Sequence, residues 1–144
     1  MPIRPATLAD SEAIARLSGM FGYEPDVDAH HERLAQLLSR PEHAVWVADD
    51  EGRIVGWLHA MLRLSLESPS YAEIAGLVVD ENERSRGIGA QLTRIAEQWA
   101  REQGIHEMRV RSNVIRERAH AFYRRDGYRP IKQQQVFVKT LGAD

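Results

Sequence analysis

Cysteine is absent from this chain of 144 residues. That excludes a disulfide framework, a thiolate metal site and a cysteine nucleophile, so any acyl chemistry must be direct or use another nucleophile. It also fits a reducing cytoplasm, the expected location. Lysine is scarce, and both copies, Lys132 and Lys139, lie near the carboxyl end. A Walker A loop ends in Gly-Lys-Ser/Thr, so no phosphate loop of that kind can stand earlier in the chain, which argues against nucleotide hydrolysis. Long apolar runs are missing too. The amino terminus begins with a short Ile3-Arg4-Pro5 strand, which predicts neither a secretory signal nor a membrane span and implies a soluble protein. The six histidines, at 30, 31, 43, 59, 106 and 120, contain no His-Glu-x-x-His pair, so no metal site is expected.

The length suits a single domain over 1–144, of mixed α/β class. Net charge is only −2, but residues 1–80 carry −7 and residues 81–144 carry +5. This division suits a phosphorylated ligand on the second half and an amine approaching the first, although mixed charge is also how ordinary helix faces are solvated. The arginines of the second half are spread over helix, strand and loop without stacking aromatics, which argues against nucleic acid as a partner.

Local patterns place the elements. Thr7-Leu8-Ala9-Asp10 reads as a capping box, followed by Ala13, Ile14 and Leu17 on one helical face before Gly19. Asp28 can cap a second helix with Leu34, Leu37 and Leu38 inward, stopped by Pro41. Residues 43–48 and 53–64 read as strands joined by a hairpin turn at Asp49-Asp50-Glu51-Gly52, and residues 65–70 as an exposed connection. Met108, Val110 and Ser112 alternate with Arg109 and Arg111 as in a strand, residues 116–125 read as a helix before Gly127, and residues 136–141 as a closing strand.

The most informative stretch is Arg84-Ser85-Arg86-Gly87-Ile88-Gly89-Ala90, between an apolar strand at 74–79 and a helical segment at 91–103. In that helix Leu92, Ile95, Ala96, Trp99 and Ala100 define one face and Gly104 stands where a C-cap belongs. Two glycines one residue apart permit a tight turn with uncovered backbone N–H groups, and the helix dipole adds positive potential, so the loop suits a phosphate. A dinucleotide fingerprint would need a third glycine where Leu92 stands.

What remains is the pattern Arg/Gln-x-x-Gly-x-Gly/Ala, met by Arg84, Gly87 and Gly89, and here the chain resembles the GNAT superfamily of acetyl-CoA-dependent N-acetyltransferases. The resemblance runs from Ile3-Arg4-Pro5-Ala6-Thr7 to Phe137-Val138-Lys139, through Tyr71-Ala72-Glu73-Ile74, the loop, and Arg118-Ala119-His120-Ala121-Phe122-Tyr123 with Gly127-Tyr128. It implies a mixed, mostly antiparallel sheet of six to seven strands flanked by about four helices. It also implies a splay between the strand before the loop and the next strand.

Acetyl transfer from a thioester to an amine needs a proton acceptor for the ammonium, a donor for the oxyanion and an acid for the leaving thiolate. The resemblance assigns Glu73 as general base, the alternative being an edge-strand glutamate facing water or pairing with an arginine. It assigns Tyr123 as the acid, the alternative being a core aromatic. The oxyanion donor is implied to be a backbone N–H near Leu77, with pantetheine pairing along Leu77, Val78 and Val79, and Gly76 allowing a bulge. The pyrophosphate would lie on Arg84, Ser85, Arg86, Gly87, Ile88, Gly89 and Ala90, with one of the two arginines in contact, and Asn113 would bond the pantetheine arm or simply form a turn.

The expected reaction is therefore acetylation of a primary amine by acetyl-CoA in a ternary complex, releasing CoA. Glu24, Asp26, Asp28 and Glu67 suggest a small cationic acceptor. A peptide or protein amine, and a non-catalytic acyl-CoA-binding regulatory domain, are the alternatives. A homodimer is compatible with an exposed closing strand.

Overall fold

The computed structural model describes residues 2–21, 24–111 and 117–142. It divides into two compact units, Met1–Arg111 and Ser112–Asp144.

The first unit is built on one sheet. Strands β1 (Ile3–Pro5), β2 (His43–Asp50), β3 (Arg53–Arg63) and β4 (Tyr71–Val79) pair antiparallel in chain order, and β5 (Met108–Val110) joins β4 in parallel. The β2–β3 hairpin turns at Glu51 and Gly52, both at positive φ (51° and 93°), and Asp49 Oδ1 accepts the Gly52 N–H at 2.8 Å. Two consecutive left-handed residues match the right-handed twist of the strands, which is why Gly52 stands there.

Helix α1 (Ser11–Ser18) starts where the sequence signals it. Asp10 takes the Thr7 N–H at 2.8 Å and a two-pronged bond from Arg4 at 2.9 Å, while Arg4 also reaches Asp49 at 3.0 Å. One arginine therefore joins β1, the α1 start and the β2 end, and holds the Asp10 carboxyl below its ordinary range despite burial. Helix α2 (Val27–Leu38) begins two residues earlier than the Asp28 cap predicts, because Asp26 is extended and accepts the Ala29 N–H at 3.0 Å. In it Leu34 is buried and Leu37 packs on the core, whereas Leu38 is exposed. Helices α1 and α2 cover one sheet face, where Ile14, Leu17 and Leu34 meet Val45, Val47, Ile54 and Val78.

Helix α3 (Ile88–Glu102) lies against the other face. Its buried stripe is Ile88, Leu92, Thr93, Ala96 and Ala100. Ile95, expected inward, is 40% exposed, and Trp99 sits edge-on to Trp46 at 5.8 Å. The contact is close because Gly56 offers no side chain: a Cβ there would come within 3.3 Å of both Ile88 and Leu92.

In the second unit, α4 (Glu117–Arg125) ends on Gly127 at φ 94°, with the Tyr128 N–H bonded to the Tyr123 carbonyl at 2.9 Å. Tyr123 contacts Phe122 and Tyr128 edge-on, at 5.1 and 5.8 Å. The predicted closing strand at 136–141 is not formed. That stretch has no regular secondary structure and pairs with no strand among the described residues, and Val136, Phe137 and Val138 are all more than 85% exposed. A β-rich run becomes a strand only where another edge takes its N–H and C=O groups. The described sheet accordingly has five strands rather than six or seven.

Candidate functional site

Strand β4 has two different ends. Near its start, Ala72, Glu73 and Ile74 pair with Met108, Arg109 and Val110, and among the described residues no strand pairs with that edge beyond Ile74. The Ala72 N–H points to β5, bonding the Glu107 carbonyl at 2.9 Å, whereas the Asp80 N–H points to β3, bonding the Val55 carbonyl at 2.8 Å. Counting back from Asp80 by the alternation of a strand turns the Val79 and Leu77 N–H groups away from β3, toward the edge that β5 has left. The register with β3 slips between His59 and Ala60 so that Ala75 is extra on β4, a bulge that bends the strand where the splay is expected. Gly76 is required beside the bulge, since the Trp57 ring lies only 2.8 Å from where a Cβ would stand.

The glycine loop follows directly. A 3-10 turn over Glu81–Arg86 leads into Gly87, which is left-handed at φ 72° and caps α3 with nothing within 4 Å of the place a Cβ would occupy. No acidic residue lies in the first turn of α3, so its positive end is not neutralised from within. Gly89 lies inside the first turn, where its carbonyl accepts the Thr93 hydroxyl at 2.8 Å. The two loop arginines differ in a way the motif does not reveal. Arg86 is engaged by Glu83 at 2.8 Å and Asp50 at 3.1 Å, which raise its pKa further, whereas Arg84 is exposed and has no carboxylate within ion-pair distance among the described residues. These features fit a pyrophosphate: an uncovered helix N-terminus, a glycine at positive φ and an uncommitted guanidinium.

Glu73 is buried, with its side chain 10% exposed, and its Oε1 accepts Arg111 Nε at 2.8 Å. That pairing, the alternative open at the sequence level, raises the Arg111 pKa but leaves Oε2 for another partner. Around the same strand start, Arg109 stacks 4.0 Å over the Tyr71 ring. Burial pushes the Tyr71 phenol up, and the guanidinium groups of Arg63 and Arg111 outweigh it and bring it below its usual range.

His43, Met61 and Glu73 stand opposite one another across β2, β3 and β4, so their side chains share a face, and His59 shares it two residues before Met61. His43 Nδ1 lies 3.0 Å from His59 Nε2. This pair was missed in the sequence, although both histidines lie at similar distances from the Asp49–Gly52 turn, which was signal enough to match them. Burial, then the neighbouring His43, lower His59 to about 4 against the opposing pull of Glu73. The sign follows from linkage. The unfolded chain takes up this proton near pH 6.5 and the folded protein only near 4, so stability falls as pH drops through that window, by on the order of 3 kcal/mol. Melting temperature recorded between pH 7 and 4 should fall less steeply in His59→Gln than in the native chain; parallel curves would remove the assignment.

Tyr123 lies half-buried on α4 in the second unit, and Asn113 lies outside the described residues. Among the described residues no helix is long and apolar enough to cross a membrane, and no group of three or more His, Asp and Glu side chains could hold a metal.

An α/β sheet with an open strand edge beside a glycine-turned helix N-terminus is what the resemblance to the GNAT superfamily implies. The profile of the acetyltransferase (GNAT) family matches residues 11–128, and the chain belongs to that family. It is an acetyl-CoA-dependent N-acetyltransferase. An aminoalkylphosphonate N-acetyltransferase of Salmonella typhimurium is 32% identical over 96% of this chain and 90% of its own length. The crystal structure of an aminoglycoside antibiotic 6'-N-acetyltransferase from Acinetobacter haemolyticus superposes with a TM-score of 0.83 at 22% identity, covering 99% of this chain and all of that one. An aminoglycoside N-acetyltransferase in complex with CoA gives a TM-score of 0.88 at 19% identity, over 97% of this chain and 95% of that one.

Proposed function

We propose that this enzyme acetylates the primary amine of a small cationic molecule by direct attack, with donor and acceptor bound together. The observation that carries the reading is Glu73, a buried carboxylate on the strand whose far end turns the Leu77 and Val79 N–H groups to an open edge. Acetyl-CoA supplies the activated acetyl thioester. Leu77, Val78 and Val79 would hold its pantetheine arm in strand fashion, and the loop from Arg84 to Ala90 its pyrophosphate, with Arg84 rather than Arg86 in contact. Glu73 Oε2 takes the ammonium proton as the amine enters, directly or through one water. The Leu77 N–H meets the developing oxyanion, and Tyr123 returns a proton to the departing sulfur.

Glu24, exposed Asp28 and Glu67 support a cationic acceptor. A second reading has its own support: Arg63, Arg109 and Arg111 gather on Tyr71 beside Glu73, and among the described residues Glu107 pairs with Arg109 and Glu73 with Arg111. That surplus of positive charge suits an amine that also carries an acid group, as aminoalkylphosphonates do.

Thiol release from acetyl-CoA across aminoglycosides, polyamines, aminoalkylphosphonates, amino acids and peptides separates these readings. Turnover with polycations supports the first and turnover with phosphonates the second. Tight acetyl-CoA binding without turnover on any amine would overturn both in favour of a sensor. In the same assay Tyr123→Phe is expected to slow turnover about tenfold or more at unchanged acetyl-CoA affinity. A rate equal to that of the native chain would return Tyr123 to a packing role.

A further inference from the structure

The proposed reaction leaves a proton on Glu73 at every turnover, and that carboxyl is buried beneath the Arg111 guanidinium. Two histidines on the same face are able to carry the proton onward. Their rings are tilted by 32° with centroids 5.2 Å apart, and the 3.0 Å nitrogen contact requires one imidazole to donate and the other to accept. His59 stands diagonally across from Glu73, a pair of positions whose backbones lie roughly 7–8 Å apart and whose long side chains, both on this face, reach toward one another. His43, at the start of β2, lies between His59 and the rim of the sheet.

We propose that the His43–His59 pair is the proton outlet of the acceptor site, passing the proton from Glu73 to His59 and through His43 to solvent. The inference rests on the reading of Glu73 as the base. The chemistry balances without another reagent. An N–H bond of the ammonium breaks, its electron pair stays on nitrogen, and an O–H bond forms on Glu73. That O–H then breaks as an N–H forms on the imidazole pair, a second N–H of the pair yields its proton to water, and Glu73 returns to the carboxylate.

Two features favour this route over a packing role. His59 is brought to about 4, so a proton handed to it does not remain there at neutral pH. Other ionisable groups on this face are committed: Arg111 to Glu73, Tyr71 to Arg63 and Arg111, and Arg109 to Glu107. From α1, Arg16 is spent on the Ile54 carbonyl at 3.0 Å and Glu12 is exposed.

The test is turnover of His59→Ala, His59→Gln and His43→Ala with an amine that the native enzyme acetylates, in buffers of increasing imidazole concentration. Acetyl-CoA affinity and melting temperature are measured alongside. The outlet predicts kcat lowered about tenfold or more in all three, with acetyl-CoA affinity kept. Added imidazole should restore His59→Ala in a saturable way, leave the native enzyme unchanged and help His59→Gln least, because glutamine occupies the space. Native rates in the histidine variants, or a loss in His59→Ala that imidazole does not restore, overturn the outlet. If His59→Ala does not fold, His43→Ala and its rescue decide by the same criteria. Native turnover in Glu73→Gln would instead remove the base itself, so the two failures are told apart.

Discussion

Glu73→Gln is expected to lower kcat by about 10²–10³-fold, within the span of a positioned general base, and to move the acid limb of the pH–rate profile upward. The profile moves because, without the carboxylate, the reaction depends on amine already neutral in solution, whose fraction grows until pH reaches the amine's own value near 10. The substitution is well suited to the site. Glutamine keeps the shape and its carbonyl oxygen can still accept Arg111 Nε, which is 2.8 Å from Glu73 Oε1, so the strand start stays in place. Arg111 is half exposed, so the charge left behind is solvated and little stability is lost. Acetyl-CoA affinity should not change, since the cofactor reading lies at the other end of β4. The measurement is kcat against pH from 6 to 10 with saturating acceptor. A variant with the native rate and profile would show that Glu73 is only the partner of Arg111.

Gly87→Val is expected to raise the dissociation constant for acetyl-CoA by about 100-fold or more while leaving the fold intact. Gly87 sits at φ 72° and ψ 20°, a conformation a β-branched residue adopts only at a cost of about 1–3 kcal/mol. The backbone would relieve that cost by rotating the loop, and the N–H groups aimed past the start of α3 would lose their common direction. Nothing in the protein lies within 4 Å of the added Cβ, so the damage falls on whatever ligand occupies that space rather than on the core. Calorimetric titration with CoA reads the effect directly, and a melting curve checks that the chain is folded. Gly87→Ala should fall between the two. Native affinity in Gly87→Val would place the pyrophosphate elsewhere.

Elements specified by neighbours in the chain were legible in the sequence. The capping box at Thr7 and Asp10, the hairpin at Glu51 and Gly52, and the left-handed Gly87 before α3 each require a particular residue type at a particular offset, and each forms. Where two local signals competed, pattern was insufficient: Asp26 and Asp28 are both able caps, and the extended backbone at Asp26 selected the first. Ile95 has the right period but stands at the edge of the stripe that α3 presents to the sheet, and only the opposing surface decides how wide a stripe is covered.

By itself the sequence determined the class of fold and the glycine turn before α3, because these rest on periodicity and glycine conformation within a few residues, and it singled out Glu73 through its resemblance to the GNAT superfamily. Tertiary structure alone decided how the charges are spent. Register across β4 and β5 brings Arg111 to Glu73 over 38 positions, and the β2 end brings Asp50 to Arg86 over 36. Such pairings depend on distance in space, which falls off within a few ångströms and leaves no trace in local pattern. The same is true of residues 136–141, whose composition calls for a strand but whose backbone pairs with no edge among the described residues, since a strand exists only with a partner.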